Sequence, residues 1–185
     1  QAGFGTGVKV NGVLIDDEDN IIVLHDNNII SILDNNQFAD NHTFVDHKQP
    51  FCRSNEMYKG VYLGNSRGVF NGKIMVRPNA QKIDAFQANN NLVLSENAAI
   101  DSKPQLEIYA DDVKCSHGCT IGQLDDDAVF YMRSRGIREA EANAVLTYAF
   151  ASEAINNINI PKVKKMAQKL IAKKLKVDLD FIQND

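Results

Sequence analysis

One stretch decides the fold of this chain, Asp111-Asp112-Val113-Lys114-Cys115-Ser116-His117-Gly118-Cys119-Thr120-Ile121-Gly122-Gln123. In an extended conformation its side chains alternate between two faces. One face then carries two thiols and an imidazole among apolar residues, in the order Val113, Cys115, His117, Cys119 and Ile121. A helical pattern opens directly afterwards at Leu124-Asp125-Asp126-Asp127, so the stretch is the junction between two kinds of structure.

Before this junction the pattern is typical of β-structure. Apolar runs of three to five residues alternate with corners rich in Asn, Asp and Gly, and no helical period lasts beyond one turn. Three corners are predicted where short polar side chains can bond their own backbone, at residues 26–28, 34–36 and 89–91. Runs beginning at Lys73, Asn91 and Val113 start about 20 residues apart, as in a solenoid. The pattern alone supports a β-sandwich as well as it supports a parallel β-helix.

The rest of the sequence predicts three helices. The first is capped by Asp125 and ends at Gly136. The second covers residues 138–156, with an apolar face formed by Ala140, Ala144, Val145, Tyr148, Ala149 and Ile155. The third begins at Pro161, with an apolar stripe formed by Val163, Met166, Leu170, Ile171 and Val177. We therefore expect a mainly β chain with an α tail, divided into residues 1–123 and residues 124–185.

Composition narrows the function classes. The chain has 185 residues, 44% of them hydrophobic, which is enough for a core without disulfides. Three cysteines, an odd number, indicate a reducing compartment, so we expect a cytoplasmic protein, or a plastid protein in a cell with plastids. A net charge of -4 argues against nucleic acid as a partner, and no apolar run approaches the ~20 residues that span a membrane. The sequence contains no G-x-x-x-x-G-K-[ST] motif, so we do not expect it to hydrolyse nucleotides by itself.

The cluster of Cys115, His117 and Cys119 has the chemistry of a metal site. Thiolates and imidazoles bind zinc and iron-sulfur units. Three residues at i, i+2 and i+4 of one strand lie almost in line, so a closed site needs ligands from another rung or another chain. The spacing alone favours a packing role, with two buried thiols and a hydrogen-bonded histidine. Cys52, in a loop, is interpreted as unrelated to this cluster.

Two further sets of side chains leave alternatives open. Arg133-Ser134-Arg135-Gly136 could bind a phosphate or an acidic partner, although basic residues at a helix end commonly only complement the helix dipole. A catalytic β-solenoid acting on polysaccharide would need clustered carboxylates. The candidates for that role are Asp84, Glu96, Asp101, Glu107, Asp111 and Asp112. A further alternative, based on the cluster of Cys115, His117 and Cys119, is a stand-alone zinc protein.

Six stretches together carry a family resemblance. They are Asp40-Asn-His-Thr-Phe-Val-Asp-His47, Tyr58-Lys-Gly60, Arg67-Gly-Val-Phe-Asn-Gly-Lys-Ile74, Arg77-Pro-Asn-Ala-Gln-Lys82, residues 101–118 from Asp101-Ser-Lys-Pro to Lys114-Cys-Ser-His-Gly118, and Phe130-Tyr-Met-Arg-Ser-Arg-Gly-Ile137. In these stretches the chain resembles the SufB/SufD family of iron-sulfur cluster assembly proteins, and its SufD branch more than its SufB branch. The resemblance implies a right-handed parallel β-helix followed by a small C-terminal helical domain.

The resemblance also implies a scaffold and not an enzyme. Such a chain pairs with a SufB-like subunit through the β-helix, docks a SufC-like ABC-type ATPase through the helical domain, and forms a homodimer in isolation. His117, beside Cys115, is then the interface residue that helps to hold a transient iron-sulfur cluster, with no permanently bound cofactor. Cys119 departs from the small residue, such as Ala, expected there. The ATPase side would include Phe130, Tyr131, Arg133, Arg135, Gly136 and Ile137.

The first residues predict a missing front part. A solenoid needs a cap over its first rung, because an uncovered rung leaves backbone groups unpaired. Gln1-Ala-Gly-Phe-Gly-Thr-Gly7 has no pattern of that kind. We therefore expect a C-terminal piece of a longer protein.

Overall fold

A computed structural model describes the backbone of residues 11–15, 21–25, 28–156 and 158–177, and the side chains of residues 29–156 and 158–177. Within these residues strands come first and helices follow. The strands are β1 (Asn11–Ile15), β2 (Ile21–His25), β3 (Asn28–Leu33), β4 (Phe38–His47), β5 (Arg53–Tyr62), β6 (Arg67–Val76), β7 (Ile83–Val93), β8 (Ala99–Ile108) and β9 (Val113–Gly122). The helices are α1 (Asp126–Ser134), α2 (Glu139–Asn156) and α3 (Pro161–Leu175).

The strands alternate between two sheets. One sheet has the order β1-β2-β3-β5-β7-β9, and the other has the order β4-β6-β8. From β3 onward every pairing in both sheets is parallel, whereas β1 and β2 join β3 as an antiparallel meander. The chain therefore winds as a β-solenoid of about three turns followed by helices, which confirms the predicted β-helix with its helical tail and excludes the sandwich.

The coil is longer than the sequence pattern predicted. Asn28 pairs with Met57, 29 residues on, and Arg67 pairs with Ala99, 32 residues on. The strands from β4 onward have 10 or 11 residues, not three to five. The 20-residue spacing was wrong because Lys73 lies in a different sheet from Asn91 and Val113, and because Asn91 lies in register with Ile121, 30 residues on, and not with Val113.

The predicted corners had three outcomes. Residues 34–36 do turn: Asn35 has a φ of 54°, and the Gln37 backbone N–H donates to the carbonyl of Asp34 at 3.0 Å. The corner at residues 89–91 was wrong, because these residues lie inside β7. There Asn89 and Asn91 are buried and bond each other, so two amides on the inward face of one strand satisfy one another where a turn was expected. Of residues 26–28, only the backbone at Asn28 is described, and it begins β3.

The helix ends were predicted better than the helix faces. Asp125 caps α1 by accepting a hydrogen bond from the backbone N–H of Asp127 at 2.9 Å, and Gly136 follows the helix with a φ of 87°. In α2 and α3, however, the predicted faces include exposed residues, namely Ala140, Ala149 and Met166. The buried rows are built largely from small residues, Ala151, Ala154, Ala167 and Ala172, because small side chains allow close approach. None of the described helices is long and apolar enough to cross a bilayer.

Strands β3 and β5 are buried on both faces: the inner face lines the lumen, and the outer face packs against helices. On the outer face, Ile30, Ile32 and Val61 pack in one cluster with residues of α2 and α3 such as Tyr148 and Ile171. The lumen of the solenoid holds two other apolar clusters, one around Ile74 and Ile83 and one around Leu33 and Tyr62. The helices thus share a core with the sheet, and the division at residues 123 and 124 stays a prediction.

A buried lysine fastens α2 to β5. Lys59 is 3% exposed, and its Nζ donates to the carbonyl of Phe150 at 2.9 Å and pairs with the carboxylate of Glu153. The same ammonium lies 4.1 Å from the centre of the Phe150 ring. A charge held out of water needs such partners, because its own desolvation is costly.

We predict that Glu153→Ala lowers the free energy of unfolding by about 1–2 kcal/mol, because it leaves the buried Lys59 ammonium with one hydrogen-bond acceptor fewer. Glu141→Ala is the matched control in the same helix, since Glu141 pairs with the exposed Arg138 and should cost only a few tenths of a kcal/mol. Chemical denaturation of both variants measures the difference. Equal losses would contradict the fastening role.

We also predict that Gly72→Ala lowers the free energy of unfolding by about 1–3 kcal/mol through overpacking of the lumen. A Cβ atom at Gly72 would lie 2.4 Å from Cζ of Phe70 and 2.7 Å from the amide atoms of Gln87, and both side chains are fully buried. Gly118→Ala in β9 is the control, because a Cβ atom there meets nothing within 4 Å. The idea fails if thermal unfolding finds the two variants equally stable.

Candidate functional site

Strand β9 forms the last edge of the six-stranded sheet. Its residues Val113, Cys115, His117, Cys119 and Ile121 lie in register with the buried residues Ile83, Ala85, Gln87, Asn89 and Asn91 of β7. Side chains in register on parallel strands point to the same side, so these five side chains face the lumen as one set. This confirms the predicted shared face. We call the exposed surface formed by β8 and β9 the open end of the solenoid.

Cys115 lies at the more buried part of this face. It packs against the lumen cluster that contains Ile83 and Ala85, and Cys52 belongs to the same cluster. Burial raises the pKa of the Cys115 thiol above its usual value. The thiol is therefore a poor nucleophile and ligand until a metal or a conformational change favours its thiolate. Coil-to-coil stacking thus brings the loop of Cys52 onto the same apolar cluster as Cys115, while the interpretation that Cys52 is unrelated to the metal-ligand residues stays a prediction.

His117 and Cys119 are exposed on the same face. The Cys119 thiol lies 3.2 Å from the hydroxyl oxygen of Ser102 in β8 and donates to it. Alternate residues of a strand are ~6.7 Å apart, so Cys115 and Cys119 stand ~13 Å apart and cannot bind one metal ion together. Among the described residues, no group of three His, Cys, Asp or Glu side chains could hold a metal ion.

Behind His117 the lumen is polar, which sequence reasoning missed. Glu56 of β5 pairs in register with Gln87 of β7, and Gln87 pairs in register with His117. The Gln87 Nε2 donates to Glu56 Oε2 at 2.8 Å, and the Tyr58 hydroxyl donates to Glu56 Oε1 at 3.1 Å. Burial raises the pKa of the Glu56 carboxyl. The alternation that places Ile83 and Ala85 inward also carries Gln87 inward, but only the coil length reveals that it lies beside His117.

The second predicted surface lies on α1, which has no buried residue. Phe130 and Tyr131 are 71% and 59% exposed. Both arginines already have partners in the chain: Arg135 donates to the Tyr131 hydroxyl at 2.9 Å, and Arg133 pairs with Glu139 at 3.2 Å. Of the last two predicted residues, Gly136 ends the helix and Ile137 is half-buried. The structure thus presents an exposed aromatic pair and two internally bonded arginines.

The carboxylates considered for a catalytic solenoid mostly pair with bases of the neighbouring coil. These pairs are Arg53 with Asp84, Arg67 with Asp101, Lys73 with Glu107 and Lys82 with Asp112. The two histidines of β4 face opposite sides. His42 is exposed beside Asp40, whereas His47 is buried 3.0 Å from the Ser54 hydroxyl.

Comparison with known proteins identifies the family of this chain. Residues 23–150 match the family model "SUF system FeS cluster assembly, SufBD core domain". The Escherichia coli (strain K12) "Iron-sulfur cluster assembly protein SufD" is 43% identical over 140 residues, which cover 76% of this chain and 33% of that protein. An "Iron-sulfur cluster assembly SufBD family protein" of Synechocystis is 42% identical over 135 residues, 73% of this chain and 30% of that protein.

A plant protein is also similar. The Arabidopsis thaliana "Protein ABCI7, chloroplastic" is 35% identical over 135 residues, which cover 72% of this chain and 28% of that protein. The chain spans about a third of the length of these relatives. The matched region contains most of the strands, including β9, and most of α2. With a core-domain match over more than half its length and relatives named SufD, the chain belongs to the SufBD family.

Proposed function

We propose that this chain is a scaffold subunit in iron-sulfur cluster assembly by the SUF machinery. The observation that carries the proposal is the position of His117, which is exposed on the inward face of an edge strand at the open end of the solenoid. Family membership supports the same role, because the bacterial relatives are named for cluster assembly. Those relatives and the chloroplastic one favour the bacterial cytoplasm or the plastid as the compartment.

The open end is the proposed seam with a SufB-like subunit. Edge strands leave a row of backbone donors and acceptors that a strand of another chain can pair with. Ile108, Tyr109 and Ile121 are large apolar side chains exposed at or beside this edge, at 40%, 59% and 55%. A second copy of this chain offers the same edge, so two copies would pair as a homodimer when the SufB-like subunit is absent.

In this proposal a transient iron-sulfur cluster is held at this seam. His117, with Cys115 beside it, supplies ligands from one side, and the SufB-like subunit supplies the others. Imidazole and thiolate are established iron ligands in clusters. A ligand set divided between two chains opens when the chains separate, so the finished cluster can leave.

The helices are the proposed docking site for a SufC-like ATPase. Phe130 and Tyr131 are the aromatic type that contributes most to protein interfaces. Nucleotide hydrolysis belongs to that partner, since this sequence carries no phosphate-binding loop. Movement of the docked ATPases would be transmitted to β3 and β5 through the core shared with α2 and α3 and through the Lys59 contacts.

We predict that His117→Ala lowers the iron-sulfur absorbance of the complex at least fivefold when the protein is co-expressed with SufB-like and SufC-like partners. The loss follows because one ligand of the shared set disappears. His42→Ala is the matched control, as His42 is an exposed strand histidine bonded to Asp40 and should leave the absorbance unchanged. An undiminished cluster yield with His117→Ala would remove His117 from the site.

We predict that Phe130→Ala weakens binding of the SufC-like ATPase at least tenfold, the effect of losing a central aromatic contact. Folding should be unaffected, because no residue of α1 is buried. Phe38→Ala is the control, since Phe38 of β4 is 51% exposed and lies outside the helices. Titration calorimetry measures both affinities, and an equal affinity for the two variants would place the docking surface elsewhere.

A further inference from the structure

A column of polar side chains runs through the lumen to the open end. The register places Glu56, Gln87 and His117 at equivalent positions of β5, β7 and β9. Adjacent strands are ~4.8 Å apart, so each side chain in the column lies one strand spacing from the next. Glu56 and Gln87 are 2% and 0% exposed, whereas His117 is exposed at the end of the column.

The Gln87 amide is held in one orientation. Its Nε2 donates to Glu56 Oε2, and Glu56 Oε1 accepts a hydrogen bond from the Tyr58 hydroxyl. Both carboxyl oxygens of Glu56 are therefore hydrogen-bonded. The amide also fills the space beside Gly72, where a Cβ atom would lie 2.7 Å from both Gln87 amide atoms. Packing and hydrogen bonding therefore fix which amide atom faces Glu56.

The other amide atom of Gln87 is the oxygen Oε1. Gln87 Oε1 is buried and accepts no hydrogen bond from any residue that the structure describes. Leaving a buried acceptor unpaired is unfavourable, so such an atom in a packed lumen calls for an explanation. The next inward side chain of the column is His117, and a neutral imidazole always carries one N–H donor.

We propose that Gln87 is a positioning residue for His117, with its Oε1 accepting a hydrogen bond from one ring N–H of the imidazole. This bond fixes the tautomer and the ring plane, so the lone pair of the other ring nitrogen points away from the lumen toward the open end. Histidine ligands in metal sites are commonly oriented in this way by an acceptor behind the ring. The orientation itself does not depend on the proposed function. Only its purpose, which is to present a ring nitrogen to the iron of a cluster, rests on that function.

The test reads the His117 tautomer in the chain without any cluster. The sequence has four histidines, so a ¹⁵N-histidine label and the His117→Ala spectrum assign the ring. Gln87→Met keeps the length of the side chain but removes the acceptor. We expect it to change the ratio of the two neutral tautomers of His117 about three- to tenfold, the effect of one hydrogen bond of ordinary strength.

Two variants serve as controls. Gln87→Glu keeps an oxygen facing His117, with one proton shared between its carboxyl and that of Glu56, and should preserve the wild-type tautomer. Gln105→Met makes the same chemical change on β8, opposite Lys73 in the other sheet, and should have no effect. If Gln87→Met does not fold, the wild-type protein still decides: a nuclear Overhauser contact between the His117 ring N–H and the Gln87 side chain is expected, and its absence overturns the proposal.

Cluster yield in the co-expressed complex separates this proposal from the proposed function. We expect Gln87→Met to lower the yield about three- to tenfold, in step with the tautomer, and Gln87→Glu to restore it. If His117→Ala abolishes the yield while Gln87→Met alters neither yield nor tautomer, the positioning role is wrong and the proposed function stands. If Gln87→Met shifts the tautomer while His117→Ala leaves the yield intact, the hydrogen bond is real and the cluster role fails.

Discussion

The structure depends on the in-register stacking of parallel strands. Because each strand repeats the position of the strand one coil earlier, every inward side chain must be compatible with the side chains directly above and below it. A slip of one residue would turn the inward face outward, so polar residues in the lumen are acceptable only where the next coil supplies a partner. Glu56 with Gln87 satisfies this rule in the lumen, and on the exposed outer face Arg67 pairs with Asp101 of the next coil. The coil length of 29 to 32 residues brings these partners together.

This constraint explains what the sequence could and could not predict. The inward face of β9 was predictable because the period of two is a local property of one strand, and the α1 cap at Asp125 was equally local. The coil length was not predictable from run spacing, since successive strands belong to different sheets. Gln87 was missed for the same reason: its partner Glu56 is 31 residues away, and no local pattern distinguishes a buried amide from an exposed one. Asn89 and Asn91 read as a corner because asparagine favours turns, but stacking made them interior residues.

The outer face of β3 and β5 explains why the helices divide into two groups. Val61 and Lys59 alternate with the lumen residues Tyr58 and Tyr62, so one strand serves two cores. Helices α2 and α3 are joined to the sheet by a continuous apolar cluster, while α1 buries nothing. The predicted α2 face was right at Tyr148 and Ile155, which are buried, and wrong at Ala140 and Ala149, which are exposed, because the contacting side of the helix also includes Ala151 and Ala154. Under the proposed function, α2 and α3 would transmit movement to the sheet, and α1 would bind the partner.

Under the proposed function, the donors on β9 differ in how readily they bind iron. The Cys115 thiol must lose a proton before it binds iron, and burial makes that loss harder. A neutral imidazole such as that of His117 can bind through a lone pair that needs no deprotonation, and His117 is exposed in the middle of β9, at the end of its polar column. Metal affinity falls when the ligand set is incomplete on either chain, so an exposed imidazole here and further ligands across a seam give a site that is stable only while the seam is closed. A scaffold that must release its product is better served by that arrangement than by a closed cage on one strand, which the ~13 Å between Cys115 and Cys119 already forbids.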